Sequence, residues 1–221
     1  MKILVIDDTA VHLDAARQTL DGHDVTYCAT HEQAVDLLSV RYDEARKDQL
    51  CKQYQAQGLK FNEYYDKVLV ETRLPYWDVV LTDLLMPAGS MAQGGVGLQY
   101  VGQEMAVGWA LALQAAKEGA KYVAVVTDTN HHHHPASAML DDLNGHFFTI
   151  DGARVLMTNY VFLVGITGTE TTCTECGGSG KVMSRGKEYS CHSCTKGQVF
   201  AKKGKNWGQI LEQMLKGPSQ E

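Results

Sequence analysis

The sequence contains no apolar run approaching the roughly 20 residues needed to cross a bilayer, which excludes a membrane-spanning helix as a reading. Its first apolar stretch, Met1-Lys2-Ile3-Leu4-Val5-Ile6, is cut off by Asp7-Asp8, too soon for a signal peptide. A soluble, cytoplasmic protein with no membrane partner is the expectation. A nucleotide-binding P-loop is also missing: Gly94-Gly95-Val96-Gly97 is not followed by lysine and a hydroxyl residue at the required positions. There is no internal repeat longer than a pair of Cys-x-x-Cys knuckles, and no helix-turn-helix pattern. The six cysteines do not suggest a disulfide framework either, because four are paired at knuckle spacing while Cys28 and Cys51 lie far away.

What is present suits one sizeable core and a small satellite. The chain has 221 residues, 44% of them hydrophobic, and a formal charge of -6. Residues 166–206 carry seven Lys/Arg against three Glu, leaving the rest at -10, so a basic segment sits beside an acidic body. Lys2 to Ile6 reads as a buried parallel strand, being a short continuous apolar run rich in branched residues. A helix over Ala10 to Leu20 and a strand over Asp24 to Cys28 complete a βαβ unit. Thr30 caps a further helix, read as continuing through a charged stretch to Gly58. For Lys67 to Thr72, strand and helical turn both stay open. Strands follow at Asp78 to Thr82 and Tyr122 to Thr127, with a helix from about Glu104 to Glu118 between them. Residues 88–102 read as a mobile glycine-rich loop. Pro135 opens another helix, Asp151-Gly152 signals a hairpin, and Trp207 to Leu215 has helical apolar spacing.

In a parallel α/β sheet, ligands gather at the carboxyl ends of the strands. Asp7, Asp8, Asp83 and Thr127 all stand at such ends and should converge. Carboxylates brought that close repel one another unless a hard cation neutralises them, and oxygen ligands suit magnesium. An aspartate beside that ion can attack a phosphoryl group, and Thr127 can bond the new phosphoryl oxygen.

These residues resemble the receiver domain of response regulators. The match is Ile3-Leu4-Val5-Ile6-Asp7-Asp8, then Val80-Leu81-Thr82-Asp83-Leu84-Leu85-Met86-Pro87, then Val125-Val126-Thr127, with Asp-x-x-Met-Pro the specific run. The resemblance implies a doubly wound, flavodoxin-like parallel sheet of five strands. It further implies Asp83 as phosphoacceptor, Asp7, Asp8, Asp83 and the Leu85 carbonyl as magnesium ligands, and Thr127 as switch hydroxyl. A histidine kinase or a downstream effector protein would be the partner, with no enzyme activity beyond self-phosphorylation from a donor. The family lysine has two candidate positions. If Gly152-Ala153 precedes the fifth strand, Asn159 replaces it; if the strand is Gln198 to Ala201, Lys202 or Lys203 supplies it, and the amphipathic helix that follows favours this second arrangement. Asp128, where the family usually has a small residue, either crowds the pocket or alters its metal.

Cys173-Thr-Glu-Cys176 and Cys191-His-Ser-Cys194, with fourteen residues between the knuckles, have the number and spacing of one tetrahedral zinc site held by four thiolates. Cys173 to Gly180 also resembles the Cys-x-x-Cys-x-Gly-x-Gly repeat of the DnaJ-type zinc domain, from which only the metal-binding geometry is carried over. So short a module folds around its metal. The expected division is a receiver-like domain over 1–165 with a helical extension near 41–76, a zinc-ribbon insertion over 166–200, and a final helix over 201–221. The ribbon's Lys181, Arg185, Lys187, Lys196, Lys202, Lys203 and Lys205, with Tyr189, Phe200 and Trp207 nearby, offer a nucleic-acid surface; a solvated basic face is the favoured reading. His131 to His134 read as an exposed loop, and His12 and His23 as surface residues. The functions carried forward are a stand-alone phosphorylated receiver, a degenerate receiver acting as a binding scaffold, a nucleic-acid-binding regulator and, more distantly, a metal-dependent phosphohydrolase.

Overall fold

The computed structural model describes residues 1–74, 77–90, 94–129, 132–159, 162–184 and 186–217. His131 and Arg185 therefore lie outside the described residues, as do residues 91–93 of the glycine-rich segment. Along the chain come β1 (Lys2–Ile6), α1 (Ala10–Thr19), β2 (Asp24–Cys28), α2 (His31–Leu38), α3 (Glu44–Ala56), α4 (Phe61–Thr72) and β3 (Val79–Asp83). Next are β4 (Met86–Pro87), β5 (Glu104–Met105), α5 (Gly108–Lys117), β6 (Tyr122–Val126), α6 (Pro135–Met139), β7 (His146–Ile150) and β8 (Ala153–Thr158).

One six-stranded sheet in the order β2-β1-β3-β6-β8-β7 organises the molecule. Neighbours from β2 to β8 run parallel, and β7 is antiparallel at the edge. This corrects the expected five-stranded, all-parallel sheet. The physical reason is the Asp151-Gly152 turn, whose residues take φ of 48° and 83°, the left-handed pair that closes a two-residue hairpin and returns β7 onto β8. The fifth parallel strand is thus Ala153–Thr158, not Gln198 to Ala201. Alternate side chains of the central strands feed two cores, so the strands read as unbroken apolar runs. Ile3, Val5, Leu81 and Ala124 pack under α1 and the last helix, while Leu4, Ile6, Val80 and Val123 pack under α2 and α5. Among the described residues no helix is long and apolar enough to cross a membrane.

The expected long helix after Thr30 is broken. α2 ends at Ser39, and Asp43 caps α3 by accepting the Arg46 N–H. α3 and α4 then form a helical hairpin whose Tyr54 and Tyr64 rings stack at 5.5 Å between centroids. Lys67 to Thr72 is helical. Residues 95–100 form a short 3-10 helix, and β4 pairs with β5.

After β8 an antiparallel stem leaves the sheet and comes back. Its outward strands are β9 (Leu163–Gly165) and β10 (Glu170–Thr172), followed by the hairpin β11 (Lys181–Ser184) and β12 (Lys187–Ser190), and then the returning strands β13 (Gln198–Phe200) and β14 (Lys203–Lys205). β10 pairs with β13 and β9 with β14, and the final helix α7 (Trp207–Lys216) begins directly after the stem. Gln198–Phe200 is therefore a stem strand, outside the main sheet. β14 lies against α1 so closely that a Cβ on Gly204 would come 2.5 Å from the Val11 carbonyl oxygen. Only glycine allows that approach.

Candidate functional site

The carboxyl ends of β1, β3 and β6 deliver Asp7, Asp83 and Thr127 to one place, all three buried, with Asp8 exposed at its rim. One oxygen from each of Asp7, Asp8 and Asp83 lies within 4.8 Å of the others. That spread fits a single hard cation, since octahedral magnesium holds its oxygens about 3 to 4 Å apart. Leu85 is buried two positions beyond Asp83. The backbone packs tightly here: the Gly108 N–H donates to the Leu84 carbonyl at 3.0 Å, and a Cβ on Gly108 would come 2.1 Å from the Asp83 carbonyl oxygen.

The lysine of this pocket is Lys205, at the end of β14. Its Nζ donates to Asp7 Oδ2 at 2.8 Å and lies 2.8 Å from Asp83 Oδ1 and 3.4 Å from Asp128 Oδ1, with the side chain fully buried. Lys202 and Lys203, which the sequence reading placed here, are exposed and line a cleft of about 520 Å³ with Thr9, Val11 and Asp14 at the start of α1. Both stand short of the position that enters the pocket. Asn159 follows β8, as the other alignment required, but its side chain donates to Asp141. Counting back from the amphipathic helix would have found Lys205, because Asn206 caps that helix by accepting the Gln209 N–H and the lysine immediately precedes the cap.

Electrostatics follow from this packing. Burial pushes the Asp83 carboxyl up to about 7, with the Lys205 ammonium opposing the rise and Asp7 and Asp128 reinforcing it. Partial burial and the neighbouring Asp7 raise Asp8 above the usual carboxylate range. Burial alone would favour a neutral Lys205, but Asp83, Asp7 and Asp128 together hold it charged, above its ordinary value. Thr127 Oγ1 accepts the Thr129 N–H at 3.1 Å.

Asp128 stands outside the three-carboxylate cluster but reaches the pocket lysine from its solvent side. Its Oδ2 lies 3.2 Å from His12 Nε2, and that hydrogen bond holds its carboxyl well below the usual range, opposed by burial and helped by Lys205. His12 is buried, contrary to the surface position expected for it, and its Nδ1 accepts the Lys205 N–H at 3.2 Å. No sequence pattern pointed to His12, because the partner that buries it lies almost two hundred positions away.

The second site is the cysteine module. The Sγ atoms of Cys173, Cys176, Cys191 and Cys194 lie within 4.8 Å of one another, with 3.9 Å between Cys173 and Cys191 and 3.5 Å between Cys176 and Cys194. A tetrahedral zinc centre with four zinc–sulfur bonds of about 2.3 Å requires edges of about 3.8 Å, so the four cysteines fit zinc. Burial opposes ionisation of Cys176, but the Gly180 N–H, donating at 3.3 Å, the thiol of Cys194 and the Gly178 N–H lower it to about 6. The basic ribbon is less continuous than its sequence suggests. Lys205 is spent in the acidic pocket, Lys181 pairs with Glu188 at 2.6 Å, and Trp207 is fully buried in the main core. Lys187, Lys196 and Tyr189 remain exposed.

Comparison with known proteins returned no match to any protein-family model, any curated protein or any solved structure.

Proposed function

We propose that the chain is an atypical receiver-like signalling protein that accepts a phosphoryl group on Asp83 and acts through contacts with protein partners. The single observation carrying this reading is the buried Lys205 ammonium, 2.8 Å from both Asp83 and Asp7 beside the third carboxylate, Asp8. Carboxylates capping strands for structural reasons alone do not call for a buried lysine delivered from 198 positions away in the sequence. The parallel strands in the order β2-β1-β3-β6-β8 correspond to the flavodoxin-like arrangement, in which a ligand sits where the chain order reverses, between β1 and β3. Asp7 and Asp83 occupy that point.

Asp7, Asp8 and Asp83 would hold magnesium, which when bound spreads the negative charge of the transferred oxygens. In the reaction an Asp83 carboxylate oxygen forms a bond to the donor's phosphorus, the bond from phosphorus to the donor breaks, and its electron pair leaves with the donor. Lys205 would then balance charge on the phosphoryl oxygens, and the Thr127 hydroxyl, whose oxygen accepts the Thr129 N–H at 3.1 Å, would donate its own proton to them. The four cysteines would hold one structural zinc, which folds the small module at the end of the stem.

Calorimetric titration with magnesium and then beryllofluoride, a phosphoryl mimic, tests the reading. Saturable beryllofluoride binding in wild type, lost in Asp83→Asn, is the expected result. Wild-type protein that binds magnesium but no beryllofluoride would sink it, leaving a scaffold with a cation site.

A further inference from the structure

The phosphoacceptor reading gives tasks to Asp7, Asp8, Asp83, Thr127 and Lys205 but none to Asp128 and His12. Both are tied to the same lysine. An ammonium has three N–H bonds, and three carboxylates surround this one: Asp7 and Asp83 at 2.8 Å, Asp128 at 3.4 Å. The Asp128 side chain, 37% exposed, completes the ring from the side open to solvent. His12 holds it there. Because His12 Nδ1 accepts the Lys205 N–H, the ring proton is on Nε2 and donates to Asp128 Oδ2 at 3.2 Å. The imidazole thus ties the carboxylate of Asp128 to the backbone of the residue whose side chain it caps.

We propose that Asp128, positioned by His12, competes with an incoming phosphoryl group for Lys205 and so sets how tightly this pocket holds one. The proposal rests on the receiver-like reading of Asp83. A phosphoryl group there needs a donor from Lys205, and the Asp128 contact is the longest of the three and the first to be displaced. His12 keeps the displaced carboxylate near the phosphoryl oxygens. Like charges that share one ammonium, in an effective dielectric of about 20, repel by more than about a factor of ten in affinity. For a divalent cation the sign reverses, since the same carboxylate adds favourable charge. Asp128 therefore acts in opposite directions on the two ligands, which a general loss of folding does not reproduce.

Magnesium and beryllofluoride titrations of full-length wild type, Asp128→Ala, Asp128→Asn and Asp83→Asn separate the possibilities. The expected result is beryllofluoride binding at least about tenfold tighter in Asp128→Ala than in wild type, with magnesium affinity weaker. Asp128→Asn keeps the side-chain volume and should shift in the same direction, which guards against a folding defect in the alanine variant. Beryllofluoride affinity unchanged or weakened in both variants, with wild type still binding and Asp83→Asn not, would overturn the role of Asp128 and leave the phosphoacceptor reading intact. No beryllofluoride binding in wild type or in either Asp128 variant, with magnesium still bound, would overturn both.

Discussion

Replacing Lys205 with methionine removes the ammonium while keeping an unbranched side chain of similar length, and leaves Asp7, Asp83 and Asp128 facing one another. Breaking a buried ion pair by deleting one partner costs about 3–5 kcal/mol, because a charge stays behind without compensation. Here the loss is capped. Burial already raises Asp83 to about 7 with the lysine in place, so without it Asp83 takes up a proton near neutral pH and relieves part of the repulsion. The expected destabilisation is therefore at the lower end, about 3 kcal/mol, equivalent to a fall in Tm of about 6–12 °C for a domain of this size. Urea unfolding followed by tryptophan fluorescence reads this directly, and millimolar magnesium should restore part of the loss by replacing the missing charge. Lys202→Met and Lys203→Met, at exposed positions, should stay within about 0.5 kcal/mol of wild type. A Lys205→Met protein within about 1 kcal/mol of wild type would refute the reasoning, as would equal losses at all three lysines.

Magnesium affinity should rise with pH up to about 7 and level off above it, because the ion competes with the proton that Asp83 carries below that value; a flat profile between about pH 5.5 and 8 would contradict the burial argument. The sign for folding is the opposite. An acid whose carboxyl is raised in the folded state binds its proton more tightly there, so in metal-free protein the Asp83 contribution to stability is lost as pH rises from about 4 to about 7. One zinc per chain is expected by metal analysis, and Cys173→Ser with Cys191→Ser should abolish it and open the stem to proteolysis while the parallel sheet stays folded. Gly108→Ala forces a methyl group against the Asp83 carbonyl, where the contact would be 2.1 Å, and should cost about 1–3 kcal/mol by chemical denaturation.

Much of the sheet was legible because its central strands are short apolar runs, two of them running into acids, and parallel strands buried on both faces allow little else. The carboxylates and the four cysteines were legible for the same reason: each group lies in a local pattern. Two features resisted. The break after α2 depends on Asp43 capping a new helix, and the reading carried the first helix straight through the weak helix formers Ser39, Val40, Tyr42 and Asp43 that mark it. The lysine was misplaced because a three-residue stem strand and a sheet strand look alike in sequence, and which ladder Gln198–Phe200 joins is decided by its partner at Glu170–Thr172. His12 and Asp128 meet only in three dimensions, and neither carries a signal that alternation or spacing can read.

The stem also fixes when the pocket can be completed. Every carboxylate that surrounds the lysine is in place by residue 128, and the ammonium that answers them is residue 205, beyond the cysteine module. At ordinary synthesis rates the ribosome takes roughly four to fifteen seconds to cover that interval. During it the emerging sheet presents acids with no lysine, and a chain halted before the stem returns keeps that state permanently. The centre of this molecule is therefore finished only after the cysteine module has been made, and an incomplete chain carries the acid half of the site without the base.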